Sequence, residues 1–519
     1  MKHGLLALAL ALSACSAPLP GTDRLDAGTA HLRALRPRTG ATVYARRPRL
    51  QWFSSDITSE YRVEFFRDRG CTQPLGTVDT ATTEALPTAD LPAGRVFWRV
   101  RPRRGSALGG WTSPLSWFIA GAGDNGDPRA ARLGWRGRLQ FDADGDGLAD
   151  LVFRDGTVYR SLGARFETRP YTTLPRASTF AIVPVGDVNG DGYLDIAVAD
   201  SSIRAVWIYH GPLAPGLAVP ARTIPNPGGG DIQFPYTNKG RDLVAGDMDG
   251  DGFDDIVAVG QRGDGFGTRA WRFRGASAGV AQAPSGVWES TAGARGHSLP
   301  AASADLDGDG FDEILFLDGV GADLPPFHGV FATILRGSPD GWISPPAFAV
   351  HASLNFAQTR GAAFGDFGGR GVGGVALKVP GDPEDCIDRR PDPLGTPNES
   401  LAPALCENGS MDIGNELDAG DIDGDGRADL VVQLDGSLTG ADPTPRTTAR
   451  LYRASSEGAP EPLARPADIA AGPDRVGLAD VDGDGRMDAI GTALTTTGRR
   501  VALVYRGTPT GFGAPERVP

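Results

Sequence analysis

Six stretches of this chain set carboxylates at alternating positions along a glycine-rich backbone, a pattern suited to holding a hard cation. In Asp421-Ile-Asp-Gly-Asp-Gly-Arg-Ala-Asp429, aspartates stand at positions one, three, five and nine, with glycines at four and six. Ca²⁺ takes about six to eight oxygen ligands, and alternating aspartates on a tight turn aim several at one centre. The glycines supply the positive φ that such a curl needs. The nonapeptide recurs as Asp142–Asp150, Asp187–Asp195, Asp247–Asp255, Asp305–Glu313 and Asp480–Asp488, and in decayed form from Asp366 to Gly374. A carboxylate committed to a divalent cation is held ionised and makes a poor general acid, so the loops point to structure before catalysis.

Other signals for catalysis are thin. Gly275-Ala-Ser-Ala-Gly279 fits the nucleophile elbow of α/β-hydrolases, which needs a strand before it and a helix after it. The same slot reads Gly337-Ser-Pro-Asp-Gly341 and Gly507-Thr-Pro-Thr-Gly511 elsewhere, so it is read as a turn. His3, His31, His210, His297, His328 and His351 show no zinc-ligand spacing. The chain is therefore expected not to be an enzyme; an envelope-associated enzyme is the least favoured alternative. A formal charge of −13 argues against nucleic acid as a partner. Six Ca²⁺ ions would bring that charge to about −1, so the acidity is mostly ligand charge.

The elements that position the loops repeat with them. Loop starts fall at 142, 187, 247, 305, 366, 421 and 480, each led by a short alternating strand such as Leu243-Val-Ala-Gly246. A buried-looking strand follows (Leu151-Val-Phe153, Ile196-Ala-Val198, Ile256-Val-Ala258), and then a third that often ends in arginine (Arg160, Arg274, Arg336, Arg453, Arg506). With a variable fourth strand this is the plan of a propeller blade, and seven copies make a seven-bladed ring. A solenoid of the same units is the alternative architecture.

The Gly-Asp-x-Asp-Gly-Asp-Gly-x-x-Asp-Leu-x-Val pattern resembles the FG-GAP repeat of integrin α-subunit propellers and the related bacterial VCBS repeats. The resemblance covers about 390 residues. It implies an all-β chain and about six structural Ca²⁺ ions. By position, Asp142, Asp187, Asp247, Asp305, Asp421 and Asp480 match the first ligand. Asp144, Asn189, Asp249, Asp307, Asp423 and Asp482 match the second, and Asp146, Asp191, Asp251, Asp309, Asp425 and Asp484 the third. The closing carboxylates are Asp150, Asp195, Asp255, Glu313, Asp429 and Asp488. An EF-hand is excluded, because its closing glutamate sits at position twelve between helices. The likeness further implies adhesion or ligand binding, with the loops on one face and a protein or glycan ligand on the opposite face or axial opening. A lectin-like propeller is the alternative.

The fifth copy, Asp366-Phe-Gly-Gly-Arg-Gly-Val-Gly-Gly374, has Gly368, Arg370 and Gly374 where carboxylates belong, and no calcium is expected there. The same repeat carries the insertion Pro380–Ser410 with Cys386 and Cys406, which are expected to form a disulfide. Cys71 is then left as a free thiol.

The N-terminus has a short basic start and an apolar stretch too short to span a bilayer, which reads as a signal peptide over 1–14. Leu12-Ser-Ala-Cys15 resembles the bacterial lipobox, implying lipidation of Cys15 and an outer-membrane lipoprotein; an ordinary secretory signal is the alternative. Residues 15–31 read as a tether, and 121–130 as a linker of turn formers. Between them, 32–120 show short strands with Trp52, Trp98, Trp111 and Trp117, resembling a fibronectin type III sandwich. The propeller is assigned to 131–519.

Overall fold

The computed structural model describes residues 32–518 except for the following numbers. These are 44, 55–59, 113, 120–139, 154, 176–180, 201–203, 229–231, 235–242, 263–267 and 290–296. The others are 320–328, 353–360, 370–372, 380–385, 396–404, 407–410, 437–447, 455–459, 463–468, 471–476 and 495–499. The signal peptide, tether, linker, Cys15 and Arg370 read from the sequence lie outside the described residues. The described residues form strands and turns without a helix, as the expected all-β class requires.

Two sheets come first. Leu32–Arg36, Leu50–Ser54 and Glu84–Ala85 make one; Ala41–Val43, Leu115–Ile119, Gly94–Arg104, Glu60–Phe66 and Pro74–Thr80 make the larger. Alternation along Gly94–Arg104 turns Val96, Trp98 and Val100 inward, while Arg99 and Arg101 stack outside on Trp111, each 4.1 Å from the ring centre. Both sheets bury one shared core, where Trp52 meets Tyr61 edge-on at 5.4 Å and Trp98 meets Trp117 at 6.1 Å. Such edge contacts contribute about 0.5–1.5 kcal/mol each beyond burial. Cys71 is disulfide-bonded, so the expected free thiol is corrected.

Seven further sheets of four or five strands follow among the described residues, with a two-stranded sheet of Gly507–Thr508 and Gly511–Phe512 beside them. The second is typical: Ala181–Gly186, Asp195–Asp200, Ala205–Tyr209 and Arg222–Pro225 lie antiparallel in that order. The third to seventh repeat it from Leu243 to Glu289, His297 to Ala352, Ala362 to Cys406, Met411 to Ala470 and Gly477 to Val518. The first runs Leu151–Val152, Thr157–Tyr159, Thr172–Thr173, and is completed by Gly216–Leu217 in parallel. In the second, third, fourth, sixth and seventh sheets the acidic nonapeptide joins two neighbouring strands, and in the first it leads into Leu151–Val152. In the second sheet every residue of Asp195–Asp200 is buried, because apolar side chains on both faces meet a neighbouring sheet.

Each sheet shares a hydrophobic cluster with the next. Val206 and Ile224 of the second pack with Trp271 and Phe273 of the third, and Phe364 and Val375 of the fifth with Leu315 and Ile334 of the fourth. The series returns to its start: Val481 and Val504 of the seventh sheet pack with Leu151 and Tyr159 of the first. In the fifth repeat Cys386 stands directly opposite Cys406, and Cys386 is disulfide-bonded.

Candidate metal centres

Each loop is curled by its own carboxylates. The first aspartate accepts the N–H of position six: Asp142 from Gly147 at 2.9 Å, Asp187 from Gly192 at 2.7 Å, Asp421 from Gly426 at 2.9 Å. The fifth residue accepts the N–H of position seven, as Asp146 does from Leu148 and Asp425 from Arg427, both at 2.8 Å. The glycines at four and six turn with φ of 80° and 85° in Gly424 and Gly426, where a side chain would be strained. Within each curl, carboxylate oxygens of neighbouring positions converge. Asp142, Asp144 and Asp146 bring oxygens within 4.8 Å of one another, as do Asp247, Asp249 and Asp251, and Asp421, Asp423 and Asp425. Asp305, Asp307 and Glu313 do the same, as do Asp480, Asp482 and Asp488. In the remaining intact loop Asn189 turns its amide N–H to Asp191 at 2.9 Å.

These clusters could hold metal ions, and the donors fit a hard cation, since all are oxygens. Asp142 Oδ1, Asp249 Oδ1 and Glu313 Oε1 are buried with no hydrogen-bond partner, a costly state that a cation would relieve. Burial, with the neighbouring carboxylates adding to it, pushes Asp421 up to about 7, Asp187 to about 8 and Glu313 to about 9. Burial likewise takes Asp488 to about 7 and holds Asp150, Asp195, Asp429 and Asp480 well above the usual carboxylate range.

The closing carboxylate has a second task that the sequence motif did not disclose. Asp429 accepts the N–H of Ile422 at 2.9 Å with one oxygen and that of Ala454, the last residue of the third strand, at 2.8 Å with the other. Asp150 does this for Ala143 and Ser161, Asp195 for Val188 and Gly211, and Asp488 for Val481 and Gly507. Asp429→Ala would strand two buried N–H groups at about 1–3 kcal/mol each. It is expected to lower the denaturant midpoint with calcium and without it, whereas loss of a ligand alone would act only with calcium. The Gly275–Gly279 motif serves the same staple: Gly275 donates to Asp255 at 3.0 Å, and no helix follows, which confirms the turn.

The arginines ending third strands reach their own loops. Arg160 lies 3.2 Å from Asp144 and Arg274 2.9 Å from Asp249; Arg336 pairs with Asp307 and Arg453 with Asp423. The repeat with neutral Asn189 at that loop position has His210 in the arginine slot. Sequence reading noticed the recurrent arginine without its partner; the matched exceptions at 189 and 210 were the available signal.

Loops also bind one another. The position-eight N–H donates to the first residue's carbonyl in the preceding loop: Asp254 to Asp187, Asp312 to Asp247, Met487 to Asp421 and, across the ends of the series, Ala149 to Asp480. Residues of the N-terminal sheets sit on four loops. Arg69 donates to the carbonyls of Gly145 at 2.8 Å and Gly192 at 2.7 Å, Arg95 to that of Asp146, and Arg36 to Asp305 at 3.3 Å. Arg33 stacks over Phe253 at 4.7 Å.

A model of the FG-GAP-like repeat matches residues 142–198 and 247–316, which supports the repeat family read from the motif. No curated protein matches the chain. Among solved structures, the crystal structure of the rhamnogalacturonan lyase YesW aligns over 93% of this chain and 92% of its own, at 13% identity and a TM-score of 0.36. That match is with an enzyme, so the expectation that the chain is not an enzyme is corrected and the exclusion withdrawn. Physically, the exclusion rested on the absence of a catalytic constellation in the linear sequence, and such constellations form in space. At this TM-score the match assigns no reaction to the chain.

Proposed function

We propose that residues 131–519 form a seven-bladed propeller of FG-GAP type, stiffened by about six Ca²⁺ ions, that serves adhesion or ligand binding at the cell envelope. The reading takes 32–120 as a fibronectin type III-like β-sandwich; lipidation of Cys15 is not carried into it, because a Cys386–Cys406 bridge leaves Cys15 as the one cysteine available to the disulfide-bonded Cys71. The observation that carries it is the recurrence of converging carboxylates, with buried unpaired oxygens at Asp142, Asp249 and Glu313, in sheets whose shared cores return from the seventh to the first. A solenoid would leave its end sheets without that contact. The fifth repeat, lacking the carboxylates, takes a Cys386–Cys406 disulfide in place of the ion; their directly opposed register supports it.

The N-terminal sheets occupy the loops at 142, 187, 247 and 305, which supports the opposite face as the ligand surface. Trp207, Trp271 and Trp288 are buried between sheets, so they offer no stacking platform for sugars, and this favours a protein partner over a glycan. The test is binding of the purified full chain to envelope extracts and to a glycan array, each with and without Ca²⁺. Calcium-dependent capture by envelope protein supports the reading; binding in neither format sinks it. Within it, Asp423→Ala is expected to remove one calcium ion from the titration stoichiometry, and Gly368→Ala none, as read by isothermal calorimetry.

A further inference from the structure

Position eight of the nonapeptide is apolar in four intact loops, as Ala149, Leu194, Ala428 and Met487, but is aspartate in the third and fourth, as Asp254 and Asp312. Neither belongs to the ligand pattern, and both are buried. Each reaches back to the preceding loop through its carboxylate: Asp254 accepts the N–H of Asp187 at 2.7 Å, and Asp312 that of Asp247 at 2.8 Å. Those are the first residues of their loops, the ones whose carboxylates organise the curl. The two remaining oxygens converge on one side chain from the N-terminal sheets. Arg38 donates to Asp254 Oδ1 at 3.2 Å through one arm of its guanidinium and to Asp312 Oδ1 through the other.

We propose that Arg38 is a positioning residue for two metal loops, clamping Asp254 and Asp312 so that they hold Asp187 and Asp247 in the ligating curl. The N-terminal unit thereby completes the propeller's ion sites instead of serving as a passive spacer. Where Arg38 approaches a ligand directly, at 3.7 Å, it faces Asp247 Oδ2, the oxygen already turned to the N–H of Gly252. Arg36 likewise meets Asp305 Oδ2, which accepts from Gly310. The position-six glycines leave room for this seating: a Cβ on Gly252 would stand 2.7 Å from Leu35, and one on Gly310 2.7 Å from Arg36.

The proposal rests on the calcium reading of the loops, and the experiment separates the two. Arg38→Lys keeps the charge but loses the planar fork that spans two carboxylates, so it isolates position from electrostatics. Full-length wild type and variant are titrated with Ca²⁺ alone, and amide hydrogen exchange is followed at Asp187 and Asp247. The variant is expected to bind two ions about 10- to 100-fold more weakly, the cost typical of losing an outer-shell partner, with the others unchanged. Both amides should exchange faster. Asp254→Asn, a second variant that breaks one arm, should weaken one ion only. A variant that titrates like wild type, or one in which every site weakens equally, overturns the clamp alone. Wild type that takes up no calcium overturns the metal reading and the clamp with it.

Discussion

Stripping divalent cations from the full chain is expected to lower its melting temperature on the order of 15 °C, from values measured in excess calcium. The size follows from counting sites. An ion that binds only the folded chain stabilises it by about 2.7 kcal/mol at a hundredfold excess over Kd. Five clusters have converged carboxylates, which gives about 13 kcal/mol at that excess if each takes one ion. Unfolding entropy near 2.1 cal/mol/K per residue, over roughly 390 residues of repeats, converts this into the stated shift. Readdition of Ca²⁺ should restore the melt, while equal Mg²⁺ should restore less, because the smaller ion demands strict octahedral geometry and dehydrates reluctantly. A melt that chelation leaves unmoved would remove calcium from the account of this fold.

What the sequence disclosed divides along physical lines. The loop curl is local: Asp421 finds the N–H of Gly426 five residues on, so spacing alone reports it. Second strands such as Asp195–Asp200 are legible too, because burial on both faces demands an unbroken apolar run. Contacts between distant segments leave no period to read. Arg38 meets Asp312 across 274 residues, and neither its position after Pro37 nor its charge marks it among the other arginines. The aspartates at 254 and 312 were visible as departures from an apolar position eight, yet only the fold shows them facing one cation. The closing carboxylate, a ligand by its spacing, is also a backbone staple, and the hydrogen bond that Asp429 accepts from the Ala454 N–H depends on where the third strand ends. Cys71 was read by elimination as unpaired, a method that fails when a partner's distance is unknown.

Calcium should also reverse the pH dependence of stability. Without metal, burial raises Asp142 and Asp247 to about 7, Asp255 to about 8 and Asp305 to about 6, each from an ordinary 3.8, and Glu313 to about 9 from 4.5. A group whose folded pKa is raised binds more protons folded than unfolded at every pH between the two values. Stability therefore falls with rising pH across that window. It is fully present below about 4 and is lost progressively as pH climbs through about 6 to 9. The calcium-free chain is thus expected to melt highest in mild acid and to weaken toward pH 8. A bound divalent cation holds the same carboxylates ionised, and protons must then be displaced for the ion to bind. The calcium-dependent gain should accordingly be small near pH 5 and grow steadily to pH 8. Melting curves of metal-stripped and calcium-saturated protein at unit steps from pH 5 to 9 read this directly. Curves that diverge with rising pH are the expected result. Parallel curves would mean that the ions, if bound, do not sit on the buried carboxylates of these loops.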